Sequence, residues 1–479
     1  MQTTLYKTLT TALMLMVFYQ QPKAQQVADS LERYLQEAAQ HNPTVQQRYS
    51  QYQAALQRTE QVGILPDPQL KAGVFLSPME IISGQQVANF ELMQMFPWFG
   101  VLRSAKNEMT LMAKASNEQY RDAQAQVRYE TSRDWNALKL GQQQIRITLQ
   151  NLEILHSLER LALSRFRASS SNASPQAMSG NAIVRSNAAT STGSTMGSMG
   201  AGGAVTQNSS PKMQSPSMGA SSSGSSLADI YQIQIQIAEL ENNLELQRDA
   251  LRSASSRFNH LLGRNPEQEL TLPDTLVARE LTLNTELHAD SLVAQNPMLS
   301  MTQYELQSLD ARALMARRMS YPMIGLGLNY ALINPSEMST SPMNGRDMIM
   351  PMLTLTLPIY RHKYKAQQLE INHQKEAAAQ TLVATQNALS DQYTDALQSY
   401  RDAQRRIKLA RRQRQLAEQS LTIRTQSYAT TGAQLTDLLS LQQQLLSYQL
   451  AELQAIADQN TSLALINRLR GTSPETQTQ

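Results

Sequence analysis

The chain has 479 residues, enough for two or three ordinary domains, but aromatic residues make up only 5% and the net charge is +3. Such a composition argues for helical rods over a globular core, and a small charge spread along helices, not gathered in a patch, excludes a nucleic-acid binder. Cysteine is absent, which excludes disulfides, thiolate metal sites, cysteine nucleophiles and an N-terminal lipidated cysteine.

Residues 1–24 have the form of a secretory signal peptide: Lys7, an apolar run from Leu9 to Tyr19, then Pro22-Lys23-Ala24 before Gln25. The run is about 11 residues, short of the ~20 that a membrane-spanning helix needs, so cleavage after Ala24 is expected and the mature chain leaves the cytoplasm. Residues 25–64 read as the N-terminal helical segment, ended by Leu65-Pro66-Asp67-Pro68, because proline lacks an amide donor and restricts the residue before it.

The period then changes over residues 65–98. Leu70, Ala72, Val74 and Leu76 alternate with Gln69, Lys71, Gly73 and Ser77; after a Pro/Ser/Gly loop, Ala88, Phe90, Leu92 and Phe96 alternate with Asn89, Glu91 and Met95. Each run is about ten residues with one apolar face, the length and pattern of a bilayer-crossing β-strand. The same device returns over residues 321–359: Ile324, Leu326, Leu328 and Tyr330 alternate with Gly325, Gly327 and Asn329, and Leu353, Leu355 and Leu357 with Thr354 and Thr356. By this alternation Lys71, Asn89, Glu91, Asn329, Thr354 and Thr356 face the lumen of a barrel, although half-buried hairpins of a soluble sheet would show a similar pattern. Four strands cannot close a barrel, since the smallest have about eight and lipid tolerates no open edge, so several copies must share one.

Residues 99–168 and 360–431 each read as one long helix, the first without proline and the second without proline or glycine. At 1.5 Å per residue, about 70 residues make a helix of roughly 105 Å. Each returns through a shorter helix, roughly Leu227 to Leu262 within residues 224–266 and Leu435 to Arg470 within residues 432–479, which end in a C-terminal tail; Gly263 and Gly471 cap them. The second return helix carries a coiled-coil seam of Leu435, Leu438, Leu439, Leu445, Leu446, Leu450, Leu453 and Ile456. In the first, Tyr231, Ile233, Ile235 and Ile237 alternate as a strand would, yet Ile230, Ile233 and Ile237 fall at the register of Leu438, Leu441 and Leu445, which favours a helix.

That register reflects an internal repeat. Gly224, Leu227 and Asp229 lead to Asn259, Leu261, Gly263 and Pro266 as Gly432, Leu435 and Asp437 lead to Asn467, Leu469, Gly471 and Pro474, unbroken over about 43 positions. Residues 267–320 form the linker and helices that open the second copy. At the first turn, residues 169–223 form a Ser/Gly/Met-rich insertion of about 54 residues beyond its counterpart, a composition expected to be disordered.

A signal peptide, a helix, Leu65-Pro66-Asp67-Pro68, two strands ending in Phe96-Pro97-Trp98-Phe99-Gly100, a long hairpin, and the whole again from Asn296-Pro297 as from Asn42-Pro43 resembles the TolC-like outer membrane factors over nearly all of the mature chain. The resemblance implies a mostly α fold with transmembrane β. Four strands per chain enter a shared twelve-stranded outer membrane β-barrel, continuous with a long periplasmic α-helical barrel built from two repeated hairpins. It further implies a homotrimer in outer membrane lipid, docked to a periplasmic adaptor (membrane fusion) protein and an inner membrane transporter. The insertion stands where family members have a tight turn, and many relatives carry a lipid anchor that this cysteine-free chain lacks.

The expected function is a passive exit duct of a tripartite efflux system, with no catalysis and no cofactor; the alternative is a periplasmic coiled-coil adaptor or structural envelope protein. Gly224, Asp229, Gly432 and Asp437 mark the hairpin tips. In a trimer Asp437 would form a ring of like charges near the closed end, while Asp229 and Asp437 also suit caps for the return helices. Met79, Met338, Met343, Met348, Met350 and Met352 cluster in and after the external loops, and residues 169–223 add five more. Thioethers suit Cu(I) or Ag(I), so copper or silver efflux is one reading of the cargo, and flexible gap-filling without a metal role is the other. The six histidines form no ligand pair, and no resident metal site is expected.

Overall fold

The computed structural model describes residues 25–171, 227–273, 275–281, 294–431 and 434–471. Within them the order is α1 (Gln25–His41), α2 (Pro43–Val62), β1 (Gln69–Ile81), β2 (Gly84–Phe96), α3 (Val101–Ser171), α4 (Leu227–Leu261), α5 (Pro297–Arg318), β3 (Met323–Asn334), β4 (Met348–Thr356), α6 (Arg361–Thr431) and α7 (Leu435–Leu469). The expected signal peptide, the tip glycines Gly224 and Gly432, and nearly all of the expected insertion lie outside the described residues. The helix α3 runs to Ser171, three residues into the segment expected to lack structure, since nothing in Ser169, Ser170 or Ser171 stops a helix.

The chain divides into two compact units, one of Met1–Ile147, Leu244–Arg414 and Ser447–Gln479, the other of Thr148–Asn243 and Gln415–Leu446. In the first unit the opening segment is two helices. Pro43 cannot continue the hydrogen bonding of α1 but suits the first turn of α2, where Asn42 caps it by accepting the Thr44 amide at 2.9 Å. The same side chain donates to the Leu261 carbonyl at the end of α4, also at 2.9 Å. Asn296 does likewise before α5, accepting from Met298 and donating to Leu469 O at the end of α7, both at 2.9 Å. Each return helix ends on a left-handed glycine, Gly263 (φ +71) or Gly471 (φ +65), as expected. A Cβ there would stand 3.0 Å from His41 O or 2.5 Å from Gln295 O, so both junctions need a residue without a side chain.

Among the described residues this unit holds three apolar clusters, the smallest around Ile407, Ala455 and Ile456. Trp135, Leu138, Phe258 and Leu262 pack with Leu31, Tyr34 and Ala38, with Tyr34 edge-on to Phe258 at 5.5 Å. Leu299, Leu389, Tyr393, Ile466 and Leu469 form the counterpart. Each fully buried Leu or Phe here contributes roughly 1.5–3 kcal/mol.

The four strands form one antiparallel sheet in the order β1-β2-β3-β4. They span 13, 13, 12 and 9 residues, so the first three run beyond the expected ten, and the β1–β2 register shifts between Val74 and Met79. Phe96 pairs with Ile324, and Ile324 with Leu355, so the Trp98-Phe99-Gly100, Tyr321-Pro322 and Leu357-Pro358 segments gather at one end. There Trp98 stacks on Tyr321 at 5.3 Å. Gly100 has φ +84, and Arg318 holds the turn by donating to Gly100 O and Ser104 Oγ, both at 2.8 Å. The helix therefore begins at Val101.

In the second unit Leu155, Leu158 and Ala162 of α3, Ile230, Ile233 and Ile237 of α4, Tyr428 of α6 and Leu435, Leu438 and Leu439 of α7 form one cluster. Tyr231 and Ile235 are exposed, so the 3.6-residue period of the isoleucines decides the segment and it is helical, as the register with α7 implied. Arg165 donates to Tyr428 O at 2.5 Å and lies over the Tyr428 ring at 4.7 Å.

Candidate functional site

Strand register fixes which side chains share a face of the sheet. Lys71 pairs with Glu91, Glu91 with Asn329 and Asn329 with Met350; Gly73 pairs with Asn89, and Asn89 with Ala331. Gly325 pairs with Thr354 and Met323 with Thr356. Because side chains alternate, Lys71, Asn89, Glu91, Asn329, Thr354 and Thr356 all stand on one face. Lys71 Nζ lies 3.4 Å from Glu91 Oε1, and Asn329 Nδ2 donates to Asn89 Oδ1 at 3.1 Å. Met93, Met95, Met348, Met350 and Met352 share this face by the same registers.

The opposite face is apolar: Leu70, Ala72 and Val74 of β1, Phe90 and Leu92 of β2, Ile324, Leu326 and Leu328 of β3, and Leu353 and Leu355 of β4. It is also bare, with Val74 and Leu353 each 73% exposed. A contiguous apolar face of this size on a single chain marks a surface that meets lipid or protein. Among the described residues the backbone of β1 and of β4 is unpaired along its outer edge. A pocket of about 420 Å³ formed by Leu65, Phe96, Trp98, Phe99, Pro322 and Ile324 with their neighbours continues the apolar face to the aromatic end.

Of the tip residues expected from sequence, Asp437 and Asp229 are described. The helices start at Leu435 and Leu227, so each aspartate stands third in its first turn and is not an N-cap as expected. There it offsets the positive helix end through the macrodipole. Asp437 is not a bare charge: Arg424 Nη1 lies 3.1 Å from its Oδ2. An opposite charge across the turn was the available signal, and the reading of Asp437 alone missed it. A second feature escaped the sequence. Gln442, in the leucine seam of α7, is buried with Asn151 of α3 and donates to its Oδ1 at 2.6 Å, while Gln442 Oε1 has no partner.

Among the described residues no three of His, Cys, Asp and Glu come together as a metal site, and no helix is long and apolar enough to cross a membrane. Burial pushes the Asp122 carboxyl above its ordinary range, against the nearby Arg468 and Arg48; Glu108 and Glu305 are raised for the same first cause.

No protein-family model matches the chain, and no curated protein does. Solved structures do. The outer membrane protein VceC of Vibrio cholerae superposes with a TM-score of 0.68 at 15% identity, over 92% of this chain and 96% of VceC. CusC, described for folding and transmembrane channel formation, gives 0.71 at 13% identity over 93% and 92%. The Neisseria gonorrhoeae MtrE outer membrane channel in its open state gives 0.66 at 13% identity over 92% and 88%. The chain is mostly helical with one four-stranded antiparallel sheet, and this is the fold of TolC-like outer membrane channel subunits.

Proposed function

We propose that this chain is one subunit of a trimeric outer membrane channel, a passive exit duct reaching into the periplasm. A periplasmic adaptor and an inner membrane transporter would deliver its cargo. One observation carries the reading: a sheet with one polar face, one bare apolar face and two unpaired edges. In lipid an open edge leaves amides and carbonyls unsatisfied at several kcal/mol each. Pairing β4 of one copy with β1 of the next removes every edge, and three copies give twelve strands. The polar face with Lys71, Asn89, Glu91, Asn329, Thr354 and Thr356 then lines the lumen, and the apolar face meets lipid. The channel names borne by the matched structures support this reading.

On this reading the chain carries out no reaction, and the work is done by the transporter. Copper(I) or silver(I) is the cargo class that the methionines suit. The adaptor reading lacks a use for a bare apolar sheet face. The test is biochemical: outer membrane fractions run unheated and heated on a gel, then planar bilayers with the purified protein. A heat-modifiable trimer with stepwise conductance is expected; a water-soluble monomer without conductance would return the chain to the adaptor reading.

A further inference from the structure

Three methionines border a two-glycine lane in the polar face of the sheet. Met93 and Met95 stand two apart on β2, Met352 stands on β4, and β3 between them carries Gly325 and Gly327. The register forms one row of Met93, Gly327 and Met352, and a second of Met95, Gly325 and Thr354. Met95 Sδ lies 2.7 Å from the point a Cβ would occupy on Gly325, and Thr354 Cβ lies 3.3 Å from that same point. Met352 Cε lies 3.5 Å from the corresponding point on Gly327, and Thr354 Oγ1 is 3.9 Å from Met93 Sδ. Side chains of two strands thus lean over the backbone of a third that has none. Neighbouring strands are about 4.8 Å apart, so the flanking strands are separated by about 10 Å, a gap that two methionine stems can close from opposite sides.

Gap-filling does not account for this arrangement. None of the three methionines is buried, and Met348 and Met350 continue along the same face of β4 at 46% and 49% exposure. Their neighbours on the face are Lys71, Glu91, Asn89 and Asn329, so there is no apolar layer for them to complete. Neutral thioethers are poor ligands for Zn²⁺, Ca²⁺ or Mg²⁺, which prefer imidazole, thiolate or oxygen, and good ones for closed-shell soft cations.

We infer that Met93, Met95 and Met352 form a binding site for a soft monovalent cation, Cu(I) or Ag(I). Its position inside a duct rests on the channel reading above; its chemistry does not. Three uncharged donors leave the positive charge of the ion uncompensated, so the site suits an ion in passage better than one in storage.

The test uses the full-length protein in detergent and chloride-free buffer, with silver nitrate as the probe. A sulfur lone pair bound to silver is withheld from hydrogen peroxide, which otherwise converts each thioether to its sulfoxide with release of water, and peptide mass spectrometry reads every methionine separately. With silver at ten times the midpoint of the protection curve, oxidation of Met93, Met95 and Met352 slows about tenfold. Met338 and Met343 in the β3–β4 loop keep their rates, and zinc nitrate protects none. Gly325→Ala, which places a methyl on the Met95 sulfur, lowers the protection of all three. Unchanged rates at the three methionines, or equal protection at Met338, would overturn the site. Conductance of the same preparation separates the two ideas: protection without conductance sinks the channel reading alone, and conductance without protection sinks the site alone.

Discussion

Arg424 and Asp437 stand on α6 and α7, either side of the turn that joins these helices, with Nη1 and Oδ2 3.1 Å apart and both side chains half exposed. A pair of this exposure contributes about 0–1 kcal/mol, so its influence is on the field at the tip more than on stability. Asp437→Ala leaves Arg424 unbalanced, and Arg424→Ala leaves the carboxylate unbalanced. In planar bilayers the first is expected to lower cation preference and raise conductance, and the second to raise cation preference. Reversal potentials unmoved by either change would confine Asp437 to its place in the first turn of α7.

Asn42 and Asn296 are the joints of the first unit, each capping a helix and satisfying the last turn of another. Both are buried, so replacement by alanine loses a cap and leaves a carbonyl unpaired. Asn42→Ala and Asn296→Ala are each expected to cost about 1–3 kcal/mol. Thermal unfolding of the purified protein measures this; a loss no greater than that of an exposed-site control such as Gln57→Ala would count against the role.

Asp122 gives a pH dependence of known sign. Burial raises its folded pKa above the unfolded value, so between the two the folded state binds more protons and stability falls as pH rises through the folded pKa. Lowering the pH through the folded pKa of Asp122 is therefore expected to relieve this cost and raise its contribution to the melting temperature. Asp122→Asn should remove part of that increase and melt higher at neutral pH; a variant whose acid response matches the wild type would show that Asp122 does not contribute.

Glu91 and Lys71 balance each other on the polar face at 3.4 Å. Glu91→Gln leaves Lys71 without its partner carboxylate, and the permeability ratio in a salt gradient is expected to shift toward anions. Lys71→Gln should shift it toward cations. Two variants moving the ratio in the same direction would contradict the shared lumen placement.

Much of this was legible in the sequence because period two is an unambiguous signal once a turn bounds it. The six residues read from alternation as lumen-facing share one face by register, opposite Val74, Phe90, Leu328 and Leu353, and their place in a lumen is part of the proposal. Helicity of Tyr231 to Ile237 was readable only through its alignment with α7. What escaped depends on partners distant in sequence. Asn42-Pro43 announced a helix start, but nothing local says that the asparagine also reaches Leu261. Met93 drew no notice because its meaning comes from Gly327 and Met352 on two other strands. Arg424 lay in a run of polar residues that looked like solvated surface.

The amide of Gln442 meets that of Asn151 at a level where leucines flank it above and below. If α7 slid along α3 by one turn, the Gln442 amide would leave Asn151 and come to lie among leucines. Swivelling about the contact leaves the pair intact. Within this unit the contact therefore resists axial sliding of α7 against α3 more than rotation about it.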